Sequence, residues 1–192
     1  MSVATIDSRI SVDDPPLPNL RDLYEVVNGV VAEPSPMGFF ETCVASVLAY
    51  AIESHFATHG HLGLVIVEGL FELRPEPKLR RRPDLAFVSY DRLPRDRPWP
   101  RGAACGVAPD LAIEVVSPHD LAVELQVKIR EYFQCGVRQV WVIYPEHVTA
   151  YAYRSSTRIE YVGPDGELDG GDVLPGFRVK LADLVGPPPD AD

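Results

Sequence analysis

The chain has 192 residues, 46% of them hydrophobic and 24% charged, with a formal net charge of −10 at pH 7. Length and balance suit one globular domain that buries its own core, and they exclude a wholly disordered chain, a collagen and a coiled coil. As a global sum, the negative charge argues against a general nucleic-acid binder.

Residues 1–18 close with Asp13-Asp14-Pro15-Pro16-Leu17-Pro18 and predict a flexible leader. Residues 186–192 contain three consecutive prolines and predict a flexible tail, with a single domain over 19–185. Met1 to Asp14 carries no basic stretch followed by an apolar one, so no signal peptide is expected. No run approaches the roughly 18 apolar residues of a spanning helix, so no membrane is expected. Cys43, Cys105 and Cys135 are widely spaced and form no Cys-x-x-Cys. That pattern predicts neither a zinc site nor a disulfide framework and suits a cytoplasmic location.

The folded part opens with a predicted hairpin. Tyr24 to Val27 and Val30 to Glu33 flank Asn28-Gly29, a pair that accepts the positive φ of a tight turn. A helix follows over 38–58, with Phe40, Val44, Val47, Leu48 and Ala51 at helical spacing. Leu64 to Leu73 reads as one strand and Asp84 to Val88 as a second. A Pro- and Arg-rich loop runs from Asp91 to Pro109, and Asp110 to Val116 reads as a third strand. Ser117 and Pro118 suit the start of a helix over 118–135, and Gly136 suits its end. Val140 to Tyr144 reads as a buried strand, and 148–153 with 158–162 as a hairpin around Ser155-Ser156. The fold class is therefore α/β, mixed α+β. Its central mixed sheet has the order helix, three strands, helix, strand, with β-hairpins at the N-terminal and C-terminal ends. The last two strands of that order are a candidate parallel pair.

Three residues carry candidate chemistry. Glu114 sits within Ala112-Ile113-Glu114-Val115-Val116, and an acid in a buried strand needs a partner or a metal. Asp84 opens a strand at Pro83-Asp84. Lys128 falls at the border of the apolar arc Leu121, Leu125, Ile129, Tyr132 and Phe133. It leans either toward the sheet or outward to Glu124 or Glu131. Taken singly, each has an ordinary reading as a turn residue, a structural ion pair or a helix-surface pair. The local charge also departs from the global one. Arg74 to Arg101 holds nine basic residues and four acids, half of all the Lys and Arg in the chain. Lys78, Arg80, Arg81 and Arg82 are the candidate nucleic-acid contacts in this strip, unless that run is a solvated loop. Trp99 could stack on a base.

The set Pro83-Asp84, Glu114 and downstream Lys128 resembles the PD-(D/E)XK nuclease superfamily. More narrowly, the chain resembles the bacterial Uma family of proposed restriction endonucleases. The likeness is carried by Tyr24 to Gly29, Arg82 to Val88, Pro109 to Pro118, Lys128 to Tyr132, Gly136 to Ile143 and Leu174 to Phe177. Two positions depart from the pattern. The superfamily's lysine usually sits two residues after the acid, where this chain has Val116, and Lys128 matches a position on the following helix used within the family. A histidine common near the start of the first long helix is replaced by Glu41. The resemblance implies a restriction-endonuclease-like core that cuts DNA phosphodiester bonds. Asp84 and Glu114 would hold Mg²⁺ or Mn²⁺, with the Val115 carbonyl as a further ligand and Glu68 as an outer one. The ion would polarise a phosphate oxygen and acidify a water, and Lys128 would orient that water or stabilise the charge on phosphorus.

Two other classes of function stay open on the residues alone. Val116 and the net charge suit a catalytically inactive nuclease-fold module that binds nucleic acid. The apolar 148–162 hairpin and the acidic surface suit a protein-interaction module or a homodimer.

Overall fold

The computed structural model describes residues 23–32 and 36–186. The leader read at 1–18, Glu33 at the end of the first hairpin, and the tail beyond Gly186 lie outside the described residues. The hairpin forms from β1 (Glu25–Val27) and β2 (Val30–Ala32). Asn28 and Gly29 take φ of 51° and 81°, the left-handed pair that a two-residue hairpin turn demands. α1 (Phe39–His59) follows. It buries Val44, Leu48, Ile52 and Phe56, an i,i+4 stripe.

The run Leu64 to Leu73 is not one strand. β3 (Gly63–Val67) ends before Glu68, and β4 (Phe71–Arg74) belongs to a different sheet. Glu68 adopts φ 48°, which no strand continues through. A Cβ on Gly69 would lie 2.4 Å from the Ile66 side chain, so the chain reverses only with glycine there or with Ile66 displaced. The reading of 78–82 as a solvated loop is also corrected. Leu79–Arg81 is β5, buried at all three positions.

β6 (Leu85–Ser89) and β7 (Leu111–Val115) lie where expected. The next helix does not begin at Pro118. Ser117 donates its N–H to Asp120 Oδ2 at 2.7 Å, closing a turn, and α2 spans Ala122–Gln134. Gly136, at φ 87°, ends it as predicted, donating to the Phe133 carbonyl while Val137 donates to that of Tyr132. β8 (Gln139–Tyr144), β9 (Thr149–Tyr153) and β10 (Ile159–Val162) follow. β11 (Glu167–Asp169), β12 (Arg178–Lys180) and α3 (Leu181–Val185) close the described chain and were not legible as elements.

The main sheet has the order β10-β9-β8-β7-β6-β3. Within it β7 and β8 are the parallel pair, joined through α2, and the other neighbours are antiparallel. One face packs Leu111, Ile113, Trp141 and Ile143 against α1 and the C-terminal elements. The other packs Ala112, Val140 and Val142 against Leu125, Ile129 and Tyr132 of α2. A second sheet, β2-β1-β5-β4, leaves the first at Glu68 and rejoins it at Arg82–Asp84. The Glu68 N–H donates to the Asp84 carbonyl at 3.0 Å, tying the two crossings together. No helix among the described residues is long and apolar enough to cross a membrane. Cys43, Cys105 and Cys135 are all free thiols.

Arg81 pins the second sheet to α2. Its guanidinium reaches Glu25 Oε2 at 2.5 Å and Glu131 Oε2 at 2.6 Å, all three side chains being nearly inaccessible. Replacing it by leucine strands two buried carboxylates. Arg81→Leu is expected to cost about 3–5 kcal/mol of stability, read from denaturant unfolding.

Candidate active site

The parting of the two sheets opens a cavity of about 560 Å³. Asp84, Glu114 and Lys128 all line it, from β6's entry, β7 and α2 respectively. Strand alternation explains Glu114. Ile113 and Val115 face α1, so Glu114 faces α2 with Ala112. Lys128 lies three residues after Leu125 and four before Tyr132, one step around from the buried stripe. Its stem therefore runs along the apolar face and its ammonium reaches the sheet, not outward to Glu124 or Glu131.

The contacts are close. Lys128 Nζ lies 3.2 Å from Glu114 Oε2 and 3.4 Å from Glu25 Oε1. Tyr132 donates its hydroxyl to Glu114 Oε1 at 2.6 Å. Asp84 Oδ2 accepts the Val115 N–H at 2.6 Å, which ties the first acid to the strand of the second. Burial raises the pKa of Glu114, while Lys128 and Tyr132 pull it back. Burial and the neighbouring charge of Glu114 push Asp84 up to about 8, against the opposing pull of Val115 N–H and Lys128. Burial disfavours the Lys128 ammonium, yet Glu114, Glu25 and Asp84 outweigh it and raise its pKa.

The charge balance defines what the cavity can accept. Seven carboxylates line it, against the cationic side chains of Arg81, Arg82 and Lys128. In the buried cluster, Asp84, Glu114, Glu25 and Glu131 face only Lys128 and Arg81. One proton on Asp84 relieves part of that excess, and one divalent cation would cancel it. Among the described residues, no group of three His, Cys, Asp or Glu side chains forms a ready metal cage. Two carboxylates suit a hard ion that keeps most of its waters. The residues present therefore fit such an ion.

The candidate nucleic-acid contacts separate. Arg80 and Arg81 are buried and turned inward, Arg80 to Glu72 at 2.8 Å and Arg81 to Glu25 and Glu131. They do not form an exposed basic face, because β5 is interior and each charge answers a carboxylate. Lys78 is half-buried at the β4–β5 turn. Arg82 lines the cavity and donates to the Glu68 carbonyl. Arg95, Arg97, Trp99 and Arg101 are exposed on the long loop. Three residues in or beside the cavity were given no site role by sequence, Glu41 having been noted only where the family's histidine is missing. Glu25 and Glu41 are buried acids on β1 and in the first turn of α1, and Tyr132 grips Glu114. The signal for Glu25 was the one that marked Glu114, an acid among apolar strand residues.

Residues 16–182 match the model of the Uma2 family, described as putative restriction endonucleases. The chain belongs to that family. A solved structure of a putative nuclease belonging to DUF820, from Anabaena variabilis ATCC 29413, is similar at a TM-score of 0.73 and 21% identity, over 88% of this chain and 93% of that one. The fold is accordingly restriction-endonuclease-like. No protein of curated function matches the chain. Family and fold together support nuclease activity in general.

The raised pKa of Asp84 has a sign. The native state binds its proton more tightly than the unfolded chain does, so the contribution of this group to metal-free stability is fullest at low pH and is lost as pH rises toward about 8. Asp84→Asn removes that loss. Its melting temperature is expected to exceed the parent's by several degrees at about pH 8.5 and to match it near pH 4, by calorimetry without divalent ions.

Proposed function

We propose that this Uma2-family protein hydrolyses phosphodiester bonds in DNA with a divalent ion, Mg²⁺ or Mn²⁺, held between Asp84 and Glu114. The observation that carries this reading is the cavity itself. Two acids distant in sequence meet there beside one ammonium, with more negative charge than the protein's own cations answer. A phosphate would be repelled from such a pocket unless a cation entered with it.

Bound there, the ion supplies Lewis acidity toward a phosphate oxygen and cancels the carboxylate excess. The remaining work falls to the chain. Asp84 is oriented by the Val115 N–H, so its second oxygen is directed by the backbone of β7. Glu114 is held at both oxygens, by Tyr132 and Lys128, and keeps one orientation as the substrate arrives. Lys128 stays cationic, which suits it to stabilise charge on the phosphoryl oxygens or to orient a water, and not to act as a base. Arg82, at the cavity wall, is the member of the basic run best placed to meet a phosphate.

Supercoiled plasmid incubated with Mg²⁺ or Mn²⁺ is expected to be nicked or linearised, and chelator is expected to stop it. Glu114→Gln and Lys128→Ala are expected to lower the rate at least a hundredfold while remaining folded. Calorimetric titration of Mn²⁺ is expected to show binding that Asp84→Asn abolishes. Equal cleavage by a folded Glu114→Gln would remove the assignment. DNA binding without cleavage under either ion would favour the inactive-module reading.

A further inference from the structure

Glu25 lies outside the two strands and the helix that carry the candidate catalytic residues. It stands on β1, in the second sheet, and is 2% exposed. Its two oxygens have different partners. Oε2 takes Arg81 at 2.5 Å. Oε1 takes the Arg82 N–H at 2.9 Å and lies 3.4 Å from Lys128 Nζ. Arg81 already has another carboxylate, since its Nε and one terminal nitrogen both reach Glu131 Oε2. A second buried acid against Arg81 alone would be a net electrostatic cost. Lys128, shared with Glu114, supplies Glu25 with a second cationic contact and so ties the two acids together.

The need for it follows from where the lysine is. The position two residues after Glu114 is Val116, so the ammonium arrives instead from α2, on a flexible four-carbon stem. One acceptor fixes its distance but leaves it free to swing. A hydrogen-bond acceptor at 3.2 Å and a second carboxylate in ion-pair contact at 3.4 Å, on different elements, fix its place.

Resting on the nuclease reading above, we propose that Glu25 is a positioning residue that holds the Lys128 ammonium beside Glu114, making the N-terminal hairpin part of the active site. Glu25 touches neither the ion nor the phosphate in this role. It acts through Lys128, and its own anchors are Arg81 and the Arg82 N–H.

Two readouts test this on the full chain. The first needs no nuclease activity. Acetic anhydride acylates a lysine through its neutral amine, and peptide mass spectrometry reports the rate at Lys128. Glu25→Gln is expected to speed labelling several-fold at fixed pH, because one of the two carboxylates that fix the amine in place is gone and the amine meets reagent in the cavity more often. Glu131→Gln loosens Arg81 from its other side and is expected to leave Lys128 labelling near the parent rate. Equal acceleration by both variants would assign Glu25 only to the Arg81 clamp and overturn the proposal. If Glu25→Gln does not fold, Glu25→Asp keeps the charge opposite Arg81 while withdrawing it by one methylene. Unchanged labelling in a folded Glu25→Asp would likewise overturn it.

The second readout is plasmid cleavage. Glu25→Gln is expected to lower kcat about tenfold with KM for DNA within about twofold, and to add nothing when combined with Lys128→Ala. Additive losses would count against action through Lys128. A parent protein that cleaves nothing, yet shows Glu25-dependent labelling, sinks the nuclease reading and leaves the placement of Lys128 standing. Cleavage with Lys128 indifferent to Glu25 does the reverse.

Discussion

Glu114 is an acid set into the interior of a sheet, and the surrounding structure is organised by the cost of holding it there. Hydrophobic neighbours give its strand a place between two helices, yet they also remove the water a carboxylate needs. Tyr132 and Lys128 answer that cost at its two oxygens. Their answer is incomplete, because burial still raises the Glu114 pKa and Asp84 sits close enough to add to the strain. That remaining shortage of positive charge is what motivates the divalent ion proposed for this site.

The two-sheet arrangement produces that shortage. The chain leaves the main sheet at Glu68 and returns at Arg82, and the detour through β4 and β5 carries Arg81 into the interior. Arg81 then gathers Glu25 from β1 and Glu131 from α2. The second sheet thus closes one wall of the cavity and brings another acid to Lys128. It also disposes of two arginines that composition alone would assign to a nucleic-acid surface. The basic excess between Arg74 and Arg101 is real in sequence but divides in space, part turned inward against carboxylates and part exposed on the Trp99 loop.

Much of the main sheet was legible. Alternating or continuous apolar runs marked β6 to β10, and Asn28-Gly29 and Gly136 marked a turn and a helix end through the φ they require. The failures share a cause. Leu64 to Leu73 looks like one strand because apolar content does not register a reversal, and the left-handed Glu68 carries no warning in its residue type. β5 looked like loop because three consecutive arginines are ordinarily solvated. Only the partners at Glu72, Glu25 and Glu131 make that strand buriable, and those lie up to 56 residues away.

The sequence by itself determined most strands of the main sheet and their succession along the chain, the parallel pair around α2, and the candidacy of Asp84, Glu114 and Lys128. Periodicity, turn chemistry and an acid among apolar residues are local properties, readable without coordinates. The tertiary structure alone decided which of its two available directions Lys128 takes, which arginines face inward, and that Glu25 shares the lysine with Glu114. Those outcomes depend on charges meeting across different sheets. A buried charge takes whatever counter-charge the fold delivers within about 3 Å, and no spacing along the chain encodes that distance.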